Sequence, residues 1–105
     1  RENIAMNELD EWRKKIDEID LQLVRLLNDR AQCAQEVGRL KLLRGLDAYA
    51  PEREEEIMQN VTTHNAGPLS AEAVRRVFER ILDESRTLER MFMDAQRKST
   101  RAPKE

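Results

Sequence analysis

Two basic residues in the first half of the chain, Arg30 and Lys41, have the spacing of a binding site for an anion. Arg30 lies in the middle of an apolar seam, where an unpaired buried charge is strongly destabilising, so its guanidinium requires an anion. Lys41 follows after about three helical turns, so the two side chains would point the same way with their Cα atoms about 16 Å apart. A small polyanion would fit between them, and arginine is suited to bidentate binding of carboxylates.

Polar residues from the second half of the chain would close this pocket. Ser85 and Glu89 are one helical turn apart within an otherwise apolar stripe, and Glu54 shares the apolar side of a short predicted helix. The residues expected to close the pocket from the second and third helices are Arg53, Glu54, Ser85 and Glu89.

Arg13 belongs to a different part of the same long helix. It lies about 25 Å from Arg30 along the helix axis and is rotated from it by about 100°. Arg13 therefore cannot serve the same site within its own chain, and a role for it requires a dimer.

Each charge also has a purely structural interpretation. Arg30 could pair with Glu89 as a buried salt bridge, and Arg53 could pair with the glutamates around it for at most about 0.5 kcal/mol. Lys41 could extend its ammonium to solvent, and Arg13 could be a solvated surface residue. A purely structural interpretation is hardest to apply to three residues: Arg30 in the middle of the seam, and Ser85 and Glu89 in the middle of the apolar stripe.

The elements that position these residues are three predicted helices. The first begins at the N-cap Asn7 and ends before Gly45, the second begins at Pro51 and ends near His64, and the third begins after the N-cap Ser70. The seam of the first helix, in steps of three and four, comprises Leu9, Trp12, Ile16, Ile19, Leu23, Leu26, Arg30, Cys33, Val37, Leu40 and Arg44. Gly38 interrupts this helix, which indicates either close approach of another backbone or ordinary tolerance of a glycine.

The first helix is too long for one small compact chain. It would span about 50 Å, whereas a compact domain of this size has a radius of gyration of only about 13 Å. The uncovered part of the seam needs a partner, and a second copy is the simplest one. We assign residues 1–6 to a disordered start or a cloning remnant, 7–96 to the functional domain, and 97–105 to a tail or linker.

Composition restricts the class of protein. A chain of 105 residues suits one domain, and a net charge of -2 does not favour nucleic acid or an anionic membrane. No apolar run predicts a signal peptide or a membrane span, so we expect a cytoplasmic protein. The single cysteine, Cys33, is expected to be a small core residue. No metal-ligand spacing or glycine-rich phosphate loop is present in the sequence, so no metal or cofactor is expected.

Five short motifs, in order and at these spacings, resemble the small all-helical chorismate mutases from about Leu9 to Phe92. They are R-x-x-I-D-x-I-D at Arg13–Asp20, L-L-x-x-R at Leu26–Arg30, E-V-G-x-x-K at Glu36–Lys41, P-x-R-E at Pro51–Glu54 and F-x-x-I-x-x-x-S at Phe78–Ser85. The resemblance implies an all-α fold with three helices per chain in an intertwined homodimer. It also implies conversion of chorismate to prephenate, on the route to phenylalanine and tyrosine, without a cofactor.

The resemblance also implies a role for each candidate residue. Arg30, together with Arg13 of the partner subunit, would bind the two substrate carboxylates, and Lys41 would reach the ether oxygen and one carboxylate. Glu89 matches a family position, often Gln, that donates to the ether oxygen. The expected roles of the others are Arg53 supporting the carboxylate side, Glu54 binding the ring hydroxyl and Ser85 holding the ring carboxylate. Lys41, Glu89 and Arg30 are the expected catalytic residues.

The sequence departs from the family pattern at two positions. Ala50 stands where relatives often carry an acid, so Glu54 would bind the hydroxyl alone. Glu89 has to be protonated to donate a hydrogen bond, so activity should fall as the pH rises.

Two other functions stay open at this point. One is a non-catalytic regulatory or assembly dimer cut from a larger aromatic-pathway enzyme, since some relatives are fused to such enzymes. A fused or associated enzyme of that pathway would also be a natural partner of an active mutase. The other is an antiparallel coiled-coil adaptor, which Ser85 and Glu89 disfavour because an adaptor would gain from apolar residues there.

Overall fold

The computed structural model describes the backbone of residues 2–101 and the side chains of residues 7–99. Within that part the chain forms three α-helices and no strand: α1 (Glu2–Arg44), α2 (Pro51–Thr63) and α3 (Ala71–Arg101). The predicted all-helical class is confirmed, with one very long, one short and one intermediate helix.

The predicted signals at the inner helix ends act as expected. Gly45 has a φ of +67°, and the N–H groups of Gly45 and Leu46 bond to the carbonyls of Leu42 and Lys41 at 3.3 and 2.8 Å, which closes α1 with a Schellman motif. Ser70 caps α3, because its Oγ accepts from the backbone N–H of Ala73 at 3.0 Å.

The outer ends of the helices differ from the prediction. α1 begins at Glu2 rather than at Asn7, and α3 continues to Arg101, into the residues that we assigned to a tail or linker. The added residues contain no glycine or proline, and the loss of an apolar period does not by itself end a helix. The rest of the predicted tail, 102–105, lies outside the described residues, as do residue 1 and the side chains of 2–6. The limits of 7–96 for the functional domain stay a prediction.

The chain divides into two compact units within α1, one up to Gln32 and one from Cys33 onward. In the first unit the predicted seam is exposed. Six large apolar side chains, Leu9, Trp12, Ile16, Ile19, Leu23 and Leu26, are 48% to 63% exposed. This segment of helix has an apolar face that its own unit does not bury.

The second unit contains the buried side chains. Ala34 of α1, Met58 of α2, and Leu82 and Met93 of α3 form its core. Gly38 of α1 is buried, and a Cβ built on it would lie 3.5 Å from Cα of Glu89. The close backbone approach that Gly38 indicates is therefore present, at ordinary van der Waals distance.

Cys33 is a correction to the prediction. It is exposed rather than part of the core, because the seam on which it lies is largely exposed in the single chain. In the described part of the chain, no helix is both long enough and apolar enough to cross a bilayer.

Candidate active site

The ammonium of Lys41 is held between the end of α1, the following loop and α3. Its Nζ donates to Oε1 of Glu89 at 2.8 Å and to the carbonyl oxygen of Ala48 at 2.7 Å. The turn at Gly45 reverses the chain after α1, which lets the loop return to Lys41. The Lys41 and Glu89 side chains are only 16% and 11% exposed, so the ammonium is fixed in a mostly buried position.

Glu89 occupies the buried face of α3, one turn after Ser85 and directly opposite Gly38. The absence of a side chain at Gly38 lets α1 approach α3 at this point. Glu89 finds a counter-charge in Lys41 within the second unit. The alternative pairing of Glu89 with Arg30 stays a prediction.

Glu54 of α2 makes a two-point ion pair with Arg86 of α3. Nε of Arg86 donates to Oε2 at 3.0 Å and Nη2 donates to Oε1 at 2.8 Å. Nη1 of Arg86 donates to Asp83 at 2.9 Å, and the guanidinium lies 5.1 Å from the centre of the Tyr49 ring. The hydrogen bonds to Glu54 raise the pKa of Arg86 above its ordinary value, so this cation stays charged at any assay pH.

Arg86 was not among the predicted site residues. It lies four residues after Leu82 and three before Glu89, both of which are buried. This helical spacing puts Arg86 beside the apolar face of α3. The same argument that singled out Ser85 and Glu89 could have found it.

Arg53 takes part in neither of these two ion pairs. Its side chain is exposed on α2 and pairs with Glu56, the Nη1 and Oε2 atoms being 3.2 Å apart. This is the pairing with a neighbouring glutamate that its structural interpretation describes. A role for Arg53 in binding stays a prediction.

The other candidate residues are placed on α1 and α3. Ser85 is half-buried in the second unit, one turn before Glu89. Arg13 and Arg30 belong to the first unit, where Arg13 is exposed and Arg30 is half-buried. The residues that the structure brings together are Lys41 with Glu89, and Glu54 with the unpredicted Arg86.

A cleft of about 440 Å³ lies on the Arg86 side of α3. Its lining includes two arginines but four acids, Glu54, Glu55, Glu79 and Asp83, and neither Lys41 nor Glu89. An excess of carboxylates disfavours a polyanion. We therefore expect the charged groups of an anionic ligand near Lys41, and only an uncharged polar group of that ligand beside Glu54 at the edge of this cleft. Among the described residues, no His, Cys, Asp and Glu side chains are grouped so as to hold a metal ion.

Comparisons with known proteins agree with the three-helix fold. Residues 12–90 match the family model for chorismate mutase type II. The chain is similar to the chorismate mutase structure (form II) from Thermus thermophilus, with a TM-score of 0.78 and 37% identity over 79% of this chain and 94% of that one.

Curated relatives give the same result. The bifunctional chorismate mutase/prephenate dehydratase of Neisseria gonorrhoeae is 43% identical over 74% of this chain, and the chain spans only 21% of that protein's length. The corresponding bifunctional protein of Aquifex aeolicus is 37% identical, with 25% of its length spanned. The chorismate mutase of Methanocaldococcus jannaschii is 27% identical, and 91% of its length is spanned. The motif resemblance is thus confirmed, and this chain belongs to the chorismate mutase type II family.

Proposed function

We propose that this chain converts chorismate to prephenate, in active sites that two copies of the chain share. The observation that carries the proposal is the mostly buried ammonium of Lys41, held by Ala48 and Glu89. The reaction is a unimolecular pericyclic rearrangement, so the protein needs no nucleophile. It has to hold a flexible dianion in a reactive conformation and stabilise the charge that develops as the C–O bond breaks.

Lys41 would stabilise negative charge on the ether oxygen in the transition state. The bonds to Ala48 and Glu89 fix its ammonium before substrate arrives, so little reorganisation is needed during the reaction. Removing one such preorganised donor typically costs about 3 kcal/mol, or about 100-fold in rate.

The remaining candidate residues would hold the substrate around that centre. Arg30, with Arg13 of the partner subunit, would bind the carboxylates, and Arg53 would support that side of the site. Ser85 would hold the ring carboxylate, and Glu54 would accept a hydrogen bond from the ring hydroxyl. Protonated Glu89 would donate to the ether oxygen, as the amide of a glutamine does in relatives that carry one.

The exposed seam supports an intertwined homodimer. Burying a large apolar side chain contributes about 1.5–3 kcal/mol, and six such side chains on the seam of the first unit are about half exposed. A second copy would bury this face with an identical one and would bring its own Arg13 to a site that contains Arg30. Two equivalent sites would follow from the symmetry.

The bifunctional relatives indicate a partner for this activity. In those proteins the part similar to this chain is joined to a prephenate dehydratase, as their names state. A fused or associated enzyme of the same pathway would consume the prephenate that this chain forms.

The test is loss of chorismate, followed at about pH 5 and about pH 7.5 to bracket protonation of a carboxylate. Lys41→Ala and Arg30→Ala should each lower turnover by about 100-fold. Arg80→Ala is the matched control, because Arg80 is an exposed cation of α3 that pairs within its own helix, with Glu84. Absence of turnover by the unmodified chain at both pH values would contradict the proposal and favour a non-catalytic assembly domain.

A further inference from the structure

We propose that Arg86 is a positioning residue for Glu54, and that it thereby determines how well the site binds the ring hydroxyl of chorismate. This inference depends on the proposed function, in which Glu54 accepts the hydrogen bond from that hydroxyl. It adds a residue of α3 that none of the sequence motifs contains.

The geometry fixes the Glu54 carboxylate in both position and plane. Nε and Nη2 of Arg86 reach one oxygen each, at 3.0 and 2.8 Å, in the two-point arrangement that a guanidinium and a carboxylate prefer. Arg86 is held in turn by Asp83 at 2.9 Å and by the Tyr49 ring at 5.1 Å. A cation held on three sides fixes its partner better than a single flexible contact would.

The pair leaves Glu54 able to bind a hydroxyl. A carboxylate offers about four lone-pair directions, and the two bonds from Arg86 use two of them. The other directions can accept a hydrogen bond from substrate. This matters here because Ala50, at the N-terminus of α2, has no side-chain acceptor and makes no side-chain cap hydrogen bond.

The pair also lowers an electrostatic cost. Chorismate is a dianion, and an unpaired carboxylate beside it would repel it. Arg86 offsets part of the charge of Glu54, since it also pairs with Asp83, and the Glu54 and Arg86 side chains are only 23% exposed, so water screens them less than an ordinary surface pair. The site thus offers an acceptor that repels the substrate less than an unpaired carboxylate would.

The competing explanation is that Arg86 only ties α2 to α3. In that case its loss would weaken the fold, and every substrate would be affected alike. A substrate analogue with hydrogen in place of the ring hydroxyl separates the two explanations, because the analogue makes no bond to Glu54.

The experiment compares kcat and KM of the 105-residue chain and its Arg86→Ala and Arg86→Lys variants, on chorismate and on this analogue. For Arg86→Ala we expect kcat/KM on chorismate to fall about 10- to 100-fold, mostly through KM, which is the usual effect of losing a hydrogen bond to a charged group. Turnover of the analogue should stay within about twofold of the unmodified chain. Arg86→Lys should recover part of the loss, because lysine restores the charge without the two-point geometry.

Arg80→Ala is the matched control, since it removes an arginine from the same helix at an exposed position and should leave both substrates unaffected. An equal loss for chorismate and the analogue in Arg86→Lys, which keeps the charge, would overturn the inference in favour of a structural tie. Unchanged kinetics on chorismate in Arg86→Ala would also overturn it while leaving the proposed function intact. Failure of the unmodified chain to turn over chorismate would instead refute the proposed function, and this inference with it.

Discussion

Replacement of Glu89 by glutamine should change the pH dependence of the reaction. Glu89 is buried and bonded to Lys41, so an amide of the same shape fits the site and still offers an oxygen to the ammonium. The variant differs in one respect: its side chain carries a hydrogen-bond donor at every pH. The carboxyl group carries a donor only when it is protonated.

The direction of the effect follows from that difference. A carboxylate has no hydrogen to donate, whereas the glutamine amide donates at every pH. Glu89→Gln should therefore show a flatter profile than the unmodified chain and should exceed it at high pH. The ratio of kcat/KM between Glu89→Gln and the unmodified chain should not exceed about 100-fold. This factor is the rate equivalent of about 3 kcal/mol for one preorganised donor.

The assay is kcat/KM for chorismate between about pH 5 and about pH 8, with circular dichroism at each pH to check that both proteins stay folded. Glu84→Gln is the matched control, because Glu84 lies on the same helix at an exposed position and pairs with Arg80. Its profile should follow that of the unmodified chain. Identical profiles for Glu89→Gln and the unmodified chain would refute the role of Glu89 as a proton-dependent donor.

Three further predictions concern the dimer and the packing of α1. We expect about a quarter of the wild-type activity to return when inactive Arg13→Ala and Arg30→Ala chains are mixed in equal amounts and allowed to exchange. Half of the dimers are then mixed, and each mixed dimer has one intact site. No recovery despite proven exchange would exclude shared sites. Ile16→Glu should shift the chain from dimer to monomer in sedimentation, since it puts a charge into the exposed seam, and an unchanged dimer would show that this face is not the interface. Gly38→Ala should raise the free energy of unfolding by up to about 1 kcal/mol, because alanine favours the helix more than glycine does and its Cβ would meet Glu89 at an ordinary 3.5 Å. A lower melting temperature of this variant would indicate that α1 and α3 approach each other more closely.

The sequence predicts the fold well where the signals are local. The heptad period, the glycine that ends α1, the proline that begins α2 and the Ser70 cap each act within a few residues, and the structure confirms them. The predicted start of α1 at Asn7 was wrong because no local stop signal marks the residues before it. The predicted burial of Cys33 was also wrong, because a periodic seam shows which face of a helix is apolar without showing what covers that face.

The sequence identified most residues of the candidate site, but it did not predict which of them form ion pairs with one another. Lys41 and Glu89 were both identified, but their contact joins residues far apart in the chain and depends on the reversal after Gly45. Arg86 was missed because an arginine beside an apolar face can also extend its guanidinium into solvent and bind nothing in the protein. Its role depends on Glu54 of another helix, which no period in α3 can reveal.

These pairings have a consequence for how the proposed site attracts its substrate. Lys41 is neutralised by Glu89, and Arg86 is neutralised by Glu54, so these two ion pairs of the second unit add no net positive charge. In the proposed site, Arg13 of the partner subunit would then supply positive charge that these two pairs do not supply, which would make dimer formation a condition for binding as well as for catalysis.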